Sequence, residues 1–331
     1  MCAQRQRDRA IDPLNLYKIH ISEDCLYLNV FAPPQFTNDS YPTIVFLHGG
    51  RFQYGSSADY PQHAILNNFV SRKVVFVSLN FRLGPMGFLS TGDSVLPGNL
   101  GLWDILLALK WAHVFGGDPN NVLLMGHGSG ASAASLLALS PKAEGLFHKI
   151  MLMSGTAITP GTVRDTAINA TWALDARLHC RSFNSSELLE CFKKQLRDEI
   201  LDFEPDPDPD YDLFVPIIDG EQGIISDDPE SLALSRRKMP IMLGTTRDER
   251  VFHGCDEIFL FELERRFLVT RRDRNWQLDR RVTELFADMI VNFLRTDDPT
   301  PESARLNFNW NSSSTGELDH LSVTDSPSMR V

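Results

Sequence analysis

Residues 122–132 read Val122-Leu123-Leu124-Met125-Gly126-His127-Gly128-Ser129-Gly130-Ala131-Ser132, and the reading of this stretch decides the fold. Its first four residues form a short apolar run of strand length. From Gly130 to position 139 small and apolar residues follow, a composition suited to a helix lying close against a sheet. The two are joined by Gly126-His127-Gly128-Ser129-Gly130. In such a sharp strand-to-helix turn the flanking glycines permit close packing. The middle residue takes a strained conformation that costs other residues roughly 1–3 kcal/mol and that glycine tolerates.

The same alternation extends outward. Further strands are expected at 26–31, 43–47, 74–79, 149–153 and 241–243, set off by Gly49-Gly50, Gly84-Pro85 and Gly116-Gly117-Asp118-Pro119. Helices are expected at 102–111, 130–139, 186–196 and 278–294. The last carries Leu278, Val282, Leu285, Phe286, Met289, Ile290 and Phe293 at helical spacing. Strands alternating with helices predict the α/β class, a mostly parallel sheet covered by helices. The Pro-Asp repeat at 205–210 reads as a solvated loop, and the seven arginines of 265–281, interrupted by Asp273 and Asp279, as a solvated helix face. With no internal repeat and no linker, one domain is expected.

Composition narrows the function. Among 331 residues 43% are hydrophobic and 23% charged, so a sizeable core is expected. A net charge of −11 argues against a nucleic-acid partner and against attraction to anionic membranes. No apolar run approaches the roughly 18 residues of a membrane span. The Arg-rich start, residues 1–11, has no apolar core and does not read as a signal peptide. Against this stand four glycosylation sequons, at Asn38, Asn169, Asn184 and Asn311, which look extracellular. The five cysteines, Cys2, Cys25, Cys180, Cys191 and Cys255, contain no CxxC, so no metal is expected. The short loops 2–25 and 180–191 can each be closed by a disulfide in an oxidising compartment, and in a reducing one all five can be free thiols.

The turn at 126–130 has the context of the nucleophile elbow of an α/β-hydrolase, and further blocks carry a family resemblance. Ser22-Glu23-Asp24-Cys25-Leu26-Tyr27-Leu28-Asn29-Val30, His48-Gly49-Gly50-Arg51-Phe52 with Gly55, Asn80-Phe81-Arg82-Leu83-Gly84, Phe88-Leu89-Ser90, Gly98-Asn99-Leu100-Gly101-Leu102, Phe115 to Val122, Gly145-Leu146-Phe147-His148-Lys149 and Ser154-Gly155 occur in order. Together they resemble the type-B carboxylesterases and cholinesterases, over about residues 20–325. The resemblance implies an α/β-hydrolase domain at 22–325, preceded by a remnant segment, 1–21, and followed by a tail, 326–331. It also implies that the domain is incomplete at both termini and around the acid and base strands. The family's disulfide loops fall on Cys2 with Cys25 and on Cys180 with Cys191, leaving Cys255 over, and a buried ion pair falls on Arg82 and Asp104.

In the family's GESAG elbow the nucleophilic serine falls on Gly128, as it does in the neuroligins, the non-catalytic adhesion branch. The oxyanion donors fall on the backbone N–H groups of Gly50, Arg51 and Ser129, with the bulk of Arg51 expected to crowd the gorge. The triad acid and base fall on Glu249 and His253. Only Arg250, Val251 and Phe252 separate them, where the family has a long helical segment and a strand. Without a hydroxyl at position 128, both read as solvated loop residues. The expected function is therefore an inactive carboxylesterase-like protein of the secretory pathway or extracellular space, binding a cell-surface or extracellular protein and needing no cofactor. The alternatives are a serine hydrolase of a small carboxylic ester working through Ser129 or Ser132, and an incomplete gene product of a carboxylesterase.

Overall fold

The computed structural model of the chain describes residues 1–4, 21–34, 40–112, 117–203, 213–246, 260–261, 276–306, 308–310, 312, 320–322 and 328–330. Glu249, His253, Cys255, Asn38, Asn311 and the Pro-Asp repeat lie outside the described residues.

Six strands make the main sheet: β1 (Leu28–Phe31), β2 (Tyr41–Leu47), β3 (Val75–Leu79), β4 (Gly117–His127), β5 (Lys149–Met153) and β6 (Ile241–Gly244). Their order is β1-β3-β2-β4-β5-β6. β1 runs antiparallel to β3 and every other pair is parallel. β3 and β5 are buried at every position, as expected of strands covered on both faces. The alternation of the strands sorts two apolar layers. Val45, Leu47, Val77, Leu124 and Leu152 face one side and Ile44, Phe46, Phe76, Met125 and Met153 the other.

Nine helices are described: α1 (Gln62–Asn68), α2 (Gly84–Phe88), α3 (Leu100–Ala112), α4 (Ser129–Leu139), α5 (Thr166–Arg177), α6 (Ser185–Phe192), α7 (Arg197–Leu201), α8 (Pro229–Leu234) and α9 (Trp276–Thr296). α3 and α4 cover the first face through Leu102, Ile105, Leu109, Ala133 and Leu137. α9 covers the second through Met289, Ile290, Phe293 and Leu294, beside Ile65 of α1 and Phe261. Phe46, Tyr60 and Phe261 pack there with ring centroids 4.8–4.9 Å apart. A short ladder pairs β7 (His320–Ser322), at the end of the expected domain, with antiparallel β8 (Ser328–Arg330), in the region read as a tail. No described helix is long and apolar enough to cross a membrane.

Two boundaries differ from the sequence reading by more than two residues. The helix expected at 186–196 ends at Phe192, because the chain turns at residues 193–196, and α7 starts only at Arg197, after an extended Leu196 (ψ 133°). β4 begins at Gly117 rather than 122, with a register shift against β2 between Tyr41 and Thr43 that accommodates Pro119 outside the regular ladder. Both disulfides are formed, Cys2–Cys25 and Cys180–Cys191.

Candidate functional site

The elbow sits where β4 passes into α4. Gly128 has φ 53° and ψ −121°, a backbone region that side-chain-bearing residues occupy only under strain. Its N–H donates to Met153 O at 2.8 Å and its carbonyl accepts from Ser132 N at 3.0 Å, so the turn is held by β5 on one side and by the first turn of α4 on the other. The neighbouring glycines are required by contact. A Cβ on Gly126 would lie 2.3 Å from Gly130 O, one on Gly130 2.3 Å from Leu47 O, and one on Gly155 2.2 Å from Gly128 O.

The loop after β2 closes against this turn. A Cβ on Gly49 would lie 2.8 Å from His127 O, which brings the expected oxyanion loop into contact with the end of β4. Gly50 has φ 126° and its carbonyl accepts from Gln53 N at 2.9 Å and Tyr54 N at 3.1 Å. His48, buried, stacks on Phe81 with ring centroids 4.5 Å apart. Arg51 (φ 57°) is exposed, and Phe52, also in the left-handed backbone region (φ 64°), is buried. Gly50, Arg51 and Ser129 are thus carried by two loops that touch, one of them ending at the start of an eleven-residue helix.

The two candidate serines differ. Ser132 is buried in α4, and its Oγ accepts from Thr162 Oγ1 at 3.2 Å, which occupies it in packing. Ser129, half-buried, is the first residue of α4, one position past the point of the elbow. Among the described residues no cluster of three His, Cys, Asp or Glu side chains is placed to hold a metal ion.

Supporting contacts reach the site from far along the chain. Gln4, buried, donates through Nε2 to Gly55 O at 3.0 Å and accepts through Oε1 from Gly55 N at 2.9 Å, so the first four residues clamp the end of the oxyanion loop. Cys2–Cys25 fixes this clamp. Nothing in the sequence marks Gln4: a single amide paired with a backbone 51 residues away leaves no local pattern. Asn80 gathers the next segment, its Oδ1 accepting from Ser57 N at 2.9 Å. Arg82 and Asp104 meet as expected, Nε to Oδ2 at 2.8 Å and Nη2 to Oδ1 at 2.7 Å. The pair is only partly buried, with 34% of the arginine side chain exposed against 5% of the aspartate. Beside it a cleft of about 320 Å³ is lined by Ala3, Glu23, Cys25, Leu26, Arg82 and Met86, away from the elbow.

Residues 1–253 match the family model described as "Carboxylesterase family". The chain is 36% identical over 246 residues to Esterase FE4 of Myzus persicae, covering 70% of this chain and 43% of that protein. It is 38% identical over 236 residues to Neuroligin-2 of Mus musculus, covering 64% of this chain and 28% of that protein. To the Carboxylic ester hydrolase of Bombus ignitus it is 34% identical over 250 residues, 72% of this chain and 44% of that protein. The chain therefore spans less than half the length of these relatives.

Proposed function

The chain belongs to the carboxylesterase family, and on that premise we propose that it is a member without ester-hydrolysing activity whose fold serves to bind another protein outside the cell. The observation that carries this reading is Gly128 at the point of the elbow. Acyl transfer by this architecture needs a hydroxyl there, poised beside a base and facing backbone donors that hold the developing oxyanion. Gly128 supplies the backbone turn and no hydroxyl. Removing the nucleophile of such a triad leaves roughly 10³–10⁴-fold acceleration over water, from the oxyanion donors and binding alone.

Ser132 is tied to Thr162 inside α4, and Ser129 lies one residue late, where the family's elbow contributes its N–H rather than its side chain. The likeness to neuroligins at 38% identity is compatible with a binding role, and esterases match the chain at similar identity. Two disulfides favour an oxidising compartment. Of the sequons, Asn169 on α5 and Asn184 before α6 are exposed, and Asn184 Nδ2 donates to Glu187 Oε1 at 2.9 Å.

The test is direct. The disulfide-intact chain is incubated with a fluorophosphonate probe and, separately, with a nitrophenyl ester. Neither serine labelling nor turnover above buffer is expected. Stoichiometric labelling of Ser129 or Ser132 together with turnover would overturn the proposal and establish a carboxylic-ester hydrolase.

A further inference from the structure

We propose that the loop Arg236-Arg237-Lys238, between α8 and β6, is a processing site cut by a serine endoprotease specific for paired basic residues. Residues 236–240 adopt no regular structure, and Arg236, Arg237 and Lys238 are all exposed. Ser235 N donates to Leu232 O to close α8, and Pro240 O accepts from Ile150 N where the β5–β6 pairing begins. Between these points the backbone of 236–239 makes no hydrogen bond to other described backbone groups. Drawing this segment into the extended form a protease binds therefore breaks little structure. One contact restrains it: Arg237 Nη2 donates to Phe147 O at 3.0 Å, with the guanidinium 5.7 Å from the Phe147 ring centre.

The other described basic pairs lack this combination. Arg72-Lys73 lies in a 3-10 turn, with Arg72 held by Asp288 at 2.6 Å. Lys193-Lys194 closes α6 through bonds to Leu189 and Cys191 carbonyls. Arg280-Arg281 lies inside α9, with Arg280 on Glu284 at 2.8 Å. Three adjacent cations also stand out in a chain of net charge −11.

In the cut, the peptide bond between Arg237 and Lys238 breaks; water gives its hydroxyl to the Arg237 carbonyl carbon and its proton to the Lys238 nitrogen. β6 remains paired with β5 from Ile241 to Gly244, so the product is a nicked molecule held together by the sheet. Both described disulfides lie on the amino-terminal side. The cut leaves the elbow on one piece and Glu249 and His253 on the other.

The full chain, folded with its disulfides, is incubated with a purified subtilisin-like endoprotease specific for Arg-Arg and Lys-Arg pairs, and new amino termini are sequenced. A terminus at Lys238 is expected, forming at least roughly tenfold faster than one at Val282 in α9. Arg236→Gln, an exposed side chain, and Arg237→Gln are each expected to abolish it. Cleavage of this bond only after denaturation would overturn the proposal, as would its persistence in both variants. So would an uncut loop that binds a sulfated polysaccharide in the native chain and loses that binding in the variants, which would make it a polyanion surface.

Discussion

At the middle of the sheet a Cβ placed on Gly126, Gly130 or Gly155 would lie 2.2–2.3 Å from a backbone oxygen, whereas one on Gly244, at the end of β6, would meet nothing within 4 Å. The contrast extends to side chains. β3 is buried along its whole length, while β6 exposes Leu243 at 61% and follows a helix whose Leu234 is 92% exposed. The glycines around the elbow are therefore demanded by packing among β2, β4, β5 and α4, independently of any chemistry performed there. The turn is thus constrained by its packing whatever chemistry it serves, while the margin beyond β5 is packed less closely.

The sharpest way to break this contrast is to add the same methyl group at both places. Gly130→Ala drives a Cβ into Leu47 O and His48 O, at 2.3 and 2.5 Å, and neither backbone can retreat. A loss of about 3 kcal/mol is expected by urea denaturation. Gly244→Ala is expected to change stability by less than about 0.5 kcal/mol. Equal losses would mean that the centre is as yielding as the edge. A second pair of substitutions compares ion pairs. Arg82→Ala leaves Asp104, 5% exposed, with the backbone N–H of residue 82 at 3.0 Å but without the guanidinium, and is expected to cost about 2 kcal/mol, below the full cost of breaking a buried pair because the guanidinium already meets water. Glu284→Ala, at a pair with 79% and 52% exposure, is expected to cost less than about 0.5 kcal/mol.

The same division governs what was legible in the sequence. All six strands of the main sheet were foreseen; the central ones, such as β3 and β5, are covered on both faces and so must be continuous apolar runs. The sharp turn between β4 and α4 was foreseen because close backbone approach leaves only glycine, which matches the contacts of Gly126 and Gly130. α1 and α5 were not. α1 buries only Ala64, Ile65 and Asn68, and α5 makes its inner face from Ala167, Ala170, Thr171, Leu174 and Asp175, in which small and polar residues blur the apolar stripe. Gln4 and Thr162, which brace the site, act through polar contacts 51 and 30 residues away in sequence, and no periodicity records such pairs.

Gly128 itself sharpens the contrast, since there the constraint is on the backbone. At φ 53° and ψ −121° a side chain brings strain, so Gly128→Ser and Gly128→Ala are each expected to lose about 1–3 kcal/mol. Similar values for the two would assign the cost to conformation. Neither is expected to hydrolyse a nitrophenyl ester. Turnover by Gly128→Ser alone would show that an acid and base stand ready.

The smallest effect belongs to the periphery, where α6 meets the loop after α2. Asp93 Oδ2 accepts from Ser185 Oγ, and Oδ1 accepts from Thr91 Oγ1 at 2.8 Å and Val95 N at 2.9 Å. The Ser185 hydroxyl, more than the donors of the loop itself, holds the carboxyl below the usual carboxylate range. A group whose pKa is lower folded than unfolded contributes stability above its unfolded value, about 3.9, and loses it as pH falls through the folded value. Ser185→Ala raises the folded value toward the unfolded one. The variant is therefore expected to differ from the parent by on the order of a few tenths of a kcal/mol at neutral pH, because Asp93 faces water, and by less as pH falls through the carboxylate range. Thermal melts at neutral and acid pH measure this. A difference that stays constant with pH would assign the contact to packing of the buried Ser185. One larger than that of Gly128→Ser would show that the periphery is not the solvent-screened, tolerant region its exposure implies.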